Sequence, residues 1–227
     1  MIPVRTAIPS RTFPAATLTL IGLNIAGFLL ARWVGAGRFH DTNPSGHWLT
    51  LLTHTNWASA AADFCCLWLF GDNVEDRTGR MRFVALYVAC AGAGLLAAMN
   101  AHPMLAAGAA ATAAVAGIVG AHFALFPQSR TLLLIPLPPA WTVEVPSLAI
   151  AGFWASLHLG LWILPALSQP GAAFSDIGMG GVIAGLALGA LASRALAQPA
   201  RMRPEWWHDG RPDEGKEPPL RRTRRRS

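Results

Sequence analysis

Five apolar stretches, each long enough to cross a lipid bilayer as a helix, leave few folds open to this chain. A bilayer core of about 30 Å requires about 17 to 25 predominantly apolar residues per helix. The segments Ala15 to Ala31, Phe83 to Met99, Leu105 to Phe126, Ser147 to Leu167 and Ile177 to Ala197 all meet that need. A sixth, Trp57 to Phe70, is short and contains Asp63, and it reaches spanning length only by borrowing from Trp48 to Asn56. It is read as a helix nonetheless, because a re-entrant segment would place unpaired backbone at membrane depth. The expected fold class is an all-α membrane protein, a bundle of six transmembrane helices. Charged residues make up 13% of the chain, against about 25% in a soluble domain, so water is excluded as the solvent of most of its surface.

The basic residues orient the spans, since Lys and Arg concentrate in cytoplasmic loops. With six spans and the N-terminus inside, the inner segments hold Arg5 and Arg11, then Arg77, Arg80 and Arg82, then Arg130, then every basic residue from Arg194 onward. Of the 18 Lys and Arg, only Arg32 and Arg38 fall outside. Both termini are therefore expected in the cytoplasm. Residues 1–198 are expected to form the membrane domain. From Pro199 to Ser227 the chain turns to Pro, Gly and charge, and ends in Arg221, Arg222, Arg224, Arg225 and Arg226. Such a composition builds no core. The segment is expected to be a disordered cytoplasmic tail that fixes topology, with attraction to anionic head groups as its functional reading. The high pI belongs to that tail, so no nucleic-acid partner is expected. Cys65, Cys66 and Cys90 lie inside apolar runs, where they read as packing residues, and no disulfide framework, metal site or cofactor motif is seen. No cleavable signal peptide is read at the N-terminus.

Two spans are built of small residues. The fourth runs from Gly108 through Thr112, Gly117 and Gly120, and the sixth through Gly178, Gly180, Gly181, Gly185 and Gly189. Lipid gives helices no hydrophobic reason to associate, so small side chains matter by letting backbones approach. The fourth and sixth helices are expected to touch, with Gly181, Gly185 and Gly189 as the ladder.

The second span carries Asn56, Ser59, Asp63 and Cys66 at helical spacing on one face. An ionised carboxylate at the bilayer centre costs about 2.5 to 3.5 kcal/mol, so this face must meet protein or water, and Asp63 is the first candidate for function. It is expected to face a hydrated cavity with Ser59 and Thr112. The alternative is a protonated carboxyl or one near the outer surface. The histidines form no pair by spacing. His122 lies ten residues beyond Thr112 on one helix, about 15 Å along the axis. His158 reads as a satisfied core residue near the middle of the fifth span. His40, His47, His54 and His102 fall in or beside outer loops.

The run from Leu67 to Phe83, with Gly71, Glu75, Asp76, Arg77, Gly79 and Arg80, resembles the second helix and following cytoplasmic loop of bacterial rhomboid intramembrane proteases. Ile2 to Pro14, Ala116 to Pro127, Ile135 to Pro146 and Gly180 to Gly185 follow in that family's order, over roughly residues 1 to 195. The resemblance implies a six-helix rhomboid bundle in a bacterial inner membrane. It also implies a serine at the start of the fourth helix, a histidine two residues before a Gly-Gly pair in the sixth, and a His and an Asn on the second helix supporting the oxyanion. Those positions are Thr112, Gly178, Ser59 and Asp63 here. A carboxylate has the wrong sign beside a developing oxyanion, and a hydroxyl without a base is a weak nucleophile. The expectation is a pseudoprotease that binds the transmembrane segment of a client or of a larger membrane complex. The competing expectations are a protease using Thr112 with His54 or His102 as base, and a proton relay centred on Asp63.

Overall fold

Each of the six stretches contains a helix in the computed structural model, which describes residues 2–8, 12–34, 52, 54, 56–101, 109–135, 141–168 and 176–198. The helices are α1 (Ala15–Val34), α2 (Trp57–Thr78), α3 (Arg80–Ala101), α4 (Ala109–Leu125), α5 (Ser147–Ser168) and α6 (Asp176–Leu196). Of these, α1 over Ala15–Trp33 and α3 over Arg80–Ala97 are each long and apolar enough to cross a membrane unaided. Among the described residues α4, α5 and α6 add the apolar helical stretches Ala109–Leu125, Ser147–Leu161 and Gly180–Leu196.

The second helix corrects the sequence reading. It gains its length past Phe70, through Gly71, Asp72, Asn73, Glu75, Asp76 and Arg77, where a cytoplasmic loop was expected. Gly79 alone separates α2 from α3. Its φ of 87° with ψ of 151° is open to glycine and hardly to other residues, and its N–H returns to the Glu75 carbonyl at 2.7 Å to close the helix.

Hydropathy hid this extension because the polar residues have partners inside the protein. Glu75, 1% exposed, turns its carboxylate onto the N-terminus of α1. It accepts hydrogen bonds from Ala16 N (3.1 Å), Thr17 N (2.8 Å) and Thr17 Oγ1 (2.8 Å). Those N–H groups have no partner within their own helix, and a negative charge there meets the positive end of the helix dipole. Asn73 Nδ2 donates to Thr6 Oγ1 at 2.6 Å. Gln198 closes the other side, its backbone N–H on the Arg77 carbonyl and its Nε2 on the Thr78 carbonyl.

Small residues make α4 the axis of the bundle, since every residue from Ala109 to His122 is buried. A Cβ on Gly185 would collide with the Ala113 carbonyl, one on Gly189 with the Gly117 carbonyl, and one on Gly120 with the Leu186 carbonyl. The expected contact between the fourth and sixth helices is therefore backbone against backbone. The ladder is tight at Gly185 and Gly189, while Gly181 faces Gly94 of α3 more loosely, at 3.3 Å. Helices α3, α4 and α6 pack on one another as the inner group, α1 leans on α2, and α5 rests chiefly on α2.

Among the described residues three strands accompany the helices: β1 (Ile2–Thr6), β2 (Arg130–Ile135) and β3 (Trp141–Pro146), antiparallel in the order β1-β2-β3. Ile2 stands opposite Leu134, and Leu132 opposite Glu144. The sheet ties the N-terminus to the α4–α5 connection at the end of the bundle that holds Glu75, with Thr131 Oγ1 and Ser147 Oγ 2.9 Å apart at the start of α5. Runs of five or six residues give no spanning signal, so hydropathy does not single them out.

Candidate functional site

Asn56 caps α2, its side chain accepting the Ser59 N–H at 2.8 Å, and so fixes where the helix begins. Ser59, Asp63 and Cys66, on one face of that helix, are all buried, as the spacing predicts. Asp63 lies six residues past the helix start, about 9 Å below it, and has no exposed surface.

Four side chains from three other parts of the chain converge on its carboxylate. Thr112 of α4 donates its hydroxyl to Oδ2 at 2.8 Å. Trp154 of α5 donates its indole N–H to Oδ1 at 2.8 Å. His54, from the approach to α2, places Nε2 3.3 Å from Oδ2, and His158 of α5 places Nε2 3.3 Å from Oδ1. His158 also touches Ser59, with Nε2 3.1 Å from Oγ, while its Nδ1 lies 3.0 Å from the Trp154 carbonyl.

The hydrogen bonds constrain the protons. A ring nitrogen beside a carbonyl must carry its hydrogen, so Nδ1 of His158 is the donor to Trp154. Its Nε2 lies 3.1 Å from Ser59 Oγ and 3.3 Å from Asp63 Oδ1, so it accepts from the hydroxyl when the ring is neutral and donates to the carboxylate when the ring is protonated. In either state the ring links α5 to α2. A membrane carboxylate with two neutral donors and two imidazoles beside it has partners on both oxygens, which is how Asp63 stays within a bilayer. His54 is different: apart from its approach to Asp63, neither ring nitrogen has a hydrogen-bond partner among the described residues. Its ring is held edge-on by Phe28 and Phe64.

Chemically, the arrangement is an acceptor for cations and donors. The Thr112 hydroxyl is directed to a carboxylate, and Ser59 meets the His158 Nε2 that also stands beside that carboxylate. The two imidazoles stand on different carboxylate oxygens, and no group of three metal ligands converges among the described residues.

Of the four positions singled out from the sequence, Asp63 and Thr112 are in direct contact, and Ser59 joins them through His158. Gly178 lies in the first turn of α6 and offers no side chain. His40, His47 and His102 lie outside the described residues. His122 belongs elsewhere, its Nε2 2.8 Å from Ser129 Oγ and its ring against Phe70 and Phe126. The sequence reading missed His158 and Trp154, treating the histidine as core. An available signal was that His158 and Asp63 are both ionisable residues inside spans, and such residues pair with one another. Trp154, one turn before His158, lies on the same face.

Fold and site together define a multi-helix integral membrane protein with an enclosed polar cluster where its second, fourth and fifth helices meet. The chain belongs to the rhomboid family: the family model described as Rhomboid domain matches residues 46–196. No curated protein and no solved structure matches the chain.

Proposed function

We propose that this rhomboid-family protein is catalytically inactive and binds the transmembrane segments of client or partner proteins. The observation that carries this reading is the Thr112 to Asp63 hydrogen bond. The hydroxyl standing where the resemblance puts the nucleophile is committed to a carboxylate. That carboxylate occupies the neighbourhood in which a tetrahedral intermediate would need donors, and Gly178 supplies no base. Residues 1–198 would form the membrane domain, with both termini and the Arg-rich segment 199–227 in the cytoplasm, as the distribution of Lys and Arg favours.

A second reading has its own observation. Asp63, His54 and His158 surround Thr112 and Ser59, and such a set could activate a hydroxyl if the Asp63–His158 pair opened. The protein would then be an intramembrane serine or threonine endopeptidase. Purified protein reconstituted with a model transmembrane substrate separates the two. No cleavage is expected, with Thr112→Ala and Ser59→Ala indistinguishable from the parent, while intact single-span proteins co-purify in mild detergent. Robust cleavage abolished by either substitution would refute the inactive reading.

A further inference from the structure

Asp63 answers the question of which transmembrane segments such a protein would choose. We propose that Asp63 is a cation-accepting site, at which a lysine or arginine within a client's transmembrane segment takes the place of the His158 ring. The proposal rests on the client-binding reading above.

The contacts of the carboxylate divide into two kinds. The neutral donors Thr112 and Trp154 sit at 2.8 Å and hold the carboxylate in place, while the two imidazoles stand off at 3.3 Å. The contacts of the two imidazoles are thus the longer ones. His158 keeps partners without Asp63, because as a neutral ring it donates Nδ1–H to the Trp154 carbonyl and accepts the Ser59 hydroxyl at Nε2. Any second ring proton passes to water as the guest cation arrives, so leaving Asp63 does not strand its polar atoms.

Packing says which wall yields. Helix α5 rests chiefly on α2 and on strands β2 and β3, while α3, α4 and α6 form the inner group. Its other side is apolar and exposed at Phe153 and Leu164, which in a bilayer is a lipid face. A helix arriving from the membrane at the α2–α5 seam therefore has Trp154 and His158 between itself and Asp63.

Depth then sets the chemistry of the guest. At about 9 Å from the start of α2, inside a core of about 30 Å, a guest cation has little water and gains most from a carboxylate. A lysine stem lies along apolar helix surface and delivers only its ammonium. An acidic guest would meet a like charge, and an apolar guest would leave the Asp63–His158 pair undisturbed.

The test uses the full-length protein in lipid nanodiscs and three fluorescent Leu/Ala-rich transmembrane peptides. Each carries lysine, norleucine or glutamate at a single position level with Asp63, and binding is read by energy transfer. The lysine peptide is expected to bind about tenfold more tightly than the norleucine peptide, a modest value for a close charge pair. Asp63→Asn, which keeps the shape and one of the two acceptor oxygens while removing the charge, should erase that preference, and His158→Ala should enlarge it by removing the competing ring. Equal binding of lysine and norleucine peptides by the unmodified protein would overturn the exchange while leaving client binding intact. Binding of none of the three would overturn both.

Discussion

Glu75 offers the sharpest energetic test of how this bundle closes. Replacing it with glutamine keeps its volume and removes its charge. The side chain now serves three donors, Ala16 N at Oε1 and both Thr17 N and Thr17 Oγ1 at Oε2. Glutamine has one acceptor oxygen. Its best orientation keeps the Thr17 pair and turns an NH₂ group toward the Ala16 N–H, so one buried donor loses its partner. A hydrogen bond to a charged group contributes about 1.5 to 3 kcal/mol, and a charge at a helix N-terminus adds about 0.3 to 1 kcal/mol. The Arg80 guanidinium at 3.5 Å is 59% exposed and adds little. Glu75→Gln should therefore cost about 2 to 4 kcal/mol. The control is Asp76→Asn on the same turn, whose bond to Thr12 Oγ1 is exposed and whose loss should stay within about 0.5 kcal/mol. Both can be read from SDS titrations in mixed micelles followed by tryptophan fluorescence. If the two variants shift the midpoint equally, Glu75 does not cap α1 as described.

Gly189→Leu should abolish folding or shift the same midpoint far more than Gly152→Leu, because a side chain at 189 meets the Gly117 carbonyl whereas Gly152 has open space around it. Gly79→Ala should destabilise by about 1 to 3 kcal/mol, the usual cost of a strained backbone conformation, and Gly92→Ala in the interior of α3 should not destabilise. Asp63→Asn is expected to fold, whereas Asp63→Lys should reduce the yield of folded protein in membranes, since it sets an ammonium against the Thr112 and Trp154 donors where a carboxylate accepted them. Reporter fusions after residue 14, near residue 129 and at the C-terminus should all register the cytoplasm, and one near Pro170 the opposite side. An outside C-terminus would remove the proposed orientation.

The sequence by itself determined the solvent, the six helices seen among the described residues and the inward face of α2. Apolar length does not depend on tertiary partners, and Asn56, Ser59, Asp63 and Cys66 recur at a spacing that only a helix brings to one side. It also determined that the fourth and sixth helices meet, because glycine at Gly185 and Gly189 has little other use in lipid. Tertiary structure alone decided where α2 ends, since Glu75 and Asn73 look like loop residues until Thr17 and Thr6 arrive as their partners. It alone decided what surrounds Asp63. His54, Thr112, Trp154 and His158 are separated from Asp63 by nine to 95 positions in the chain, and no periodicity links residues on different helices. Their meeting is set by how closely small residues let the helices approach, and by the requirement that a buried charge find its partners wherever the fold can bring them.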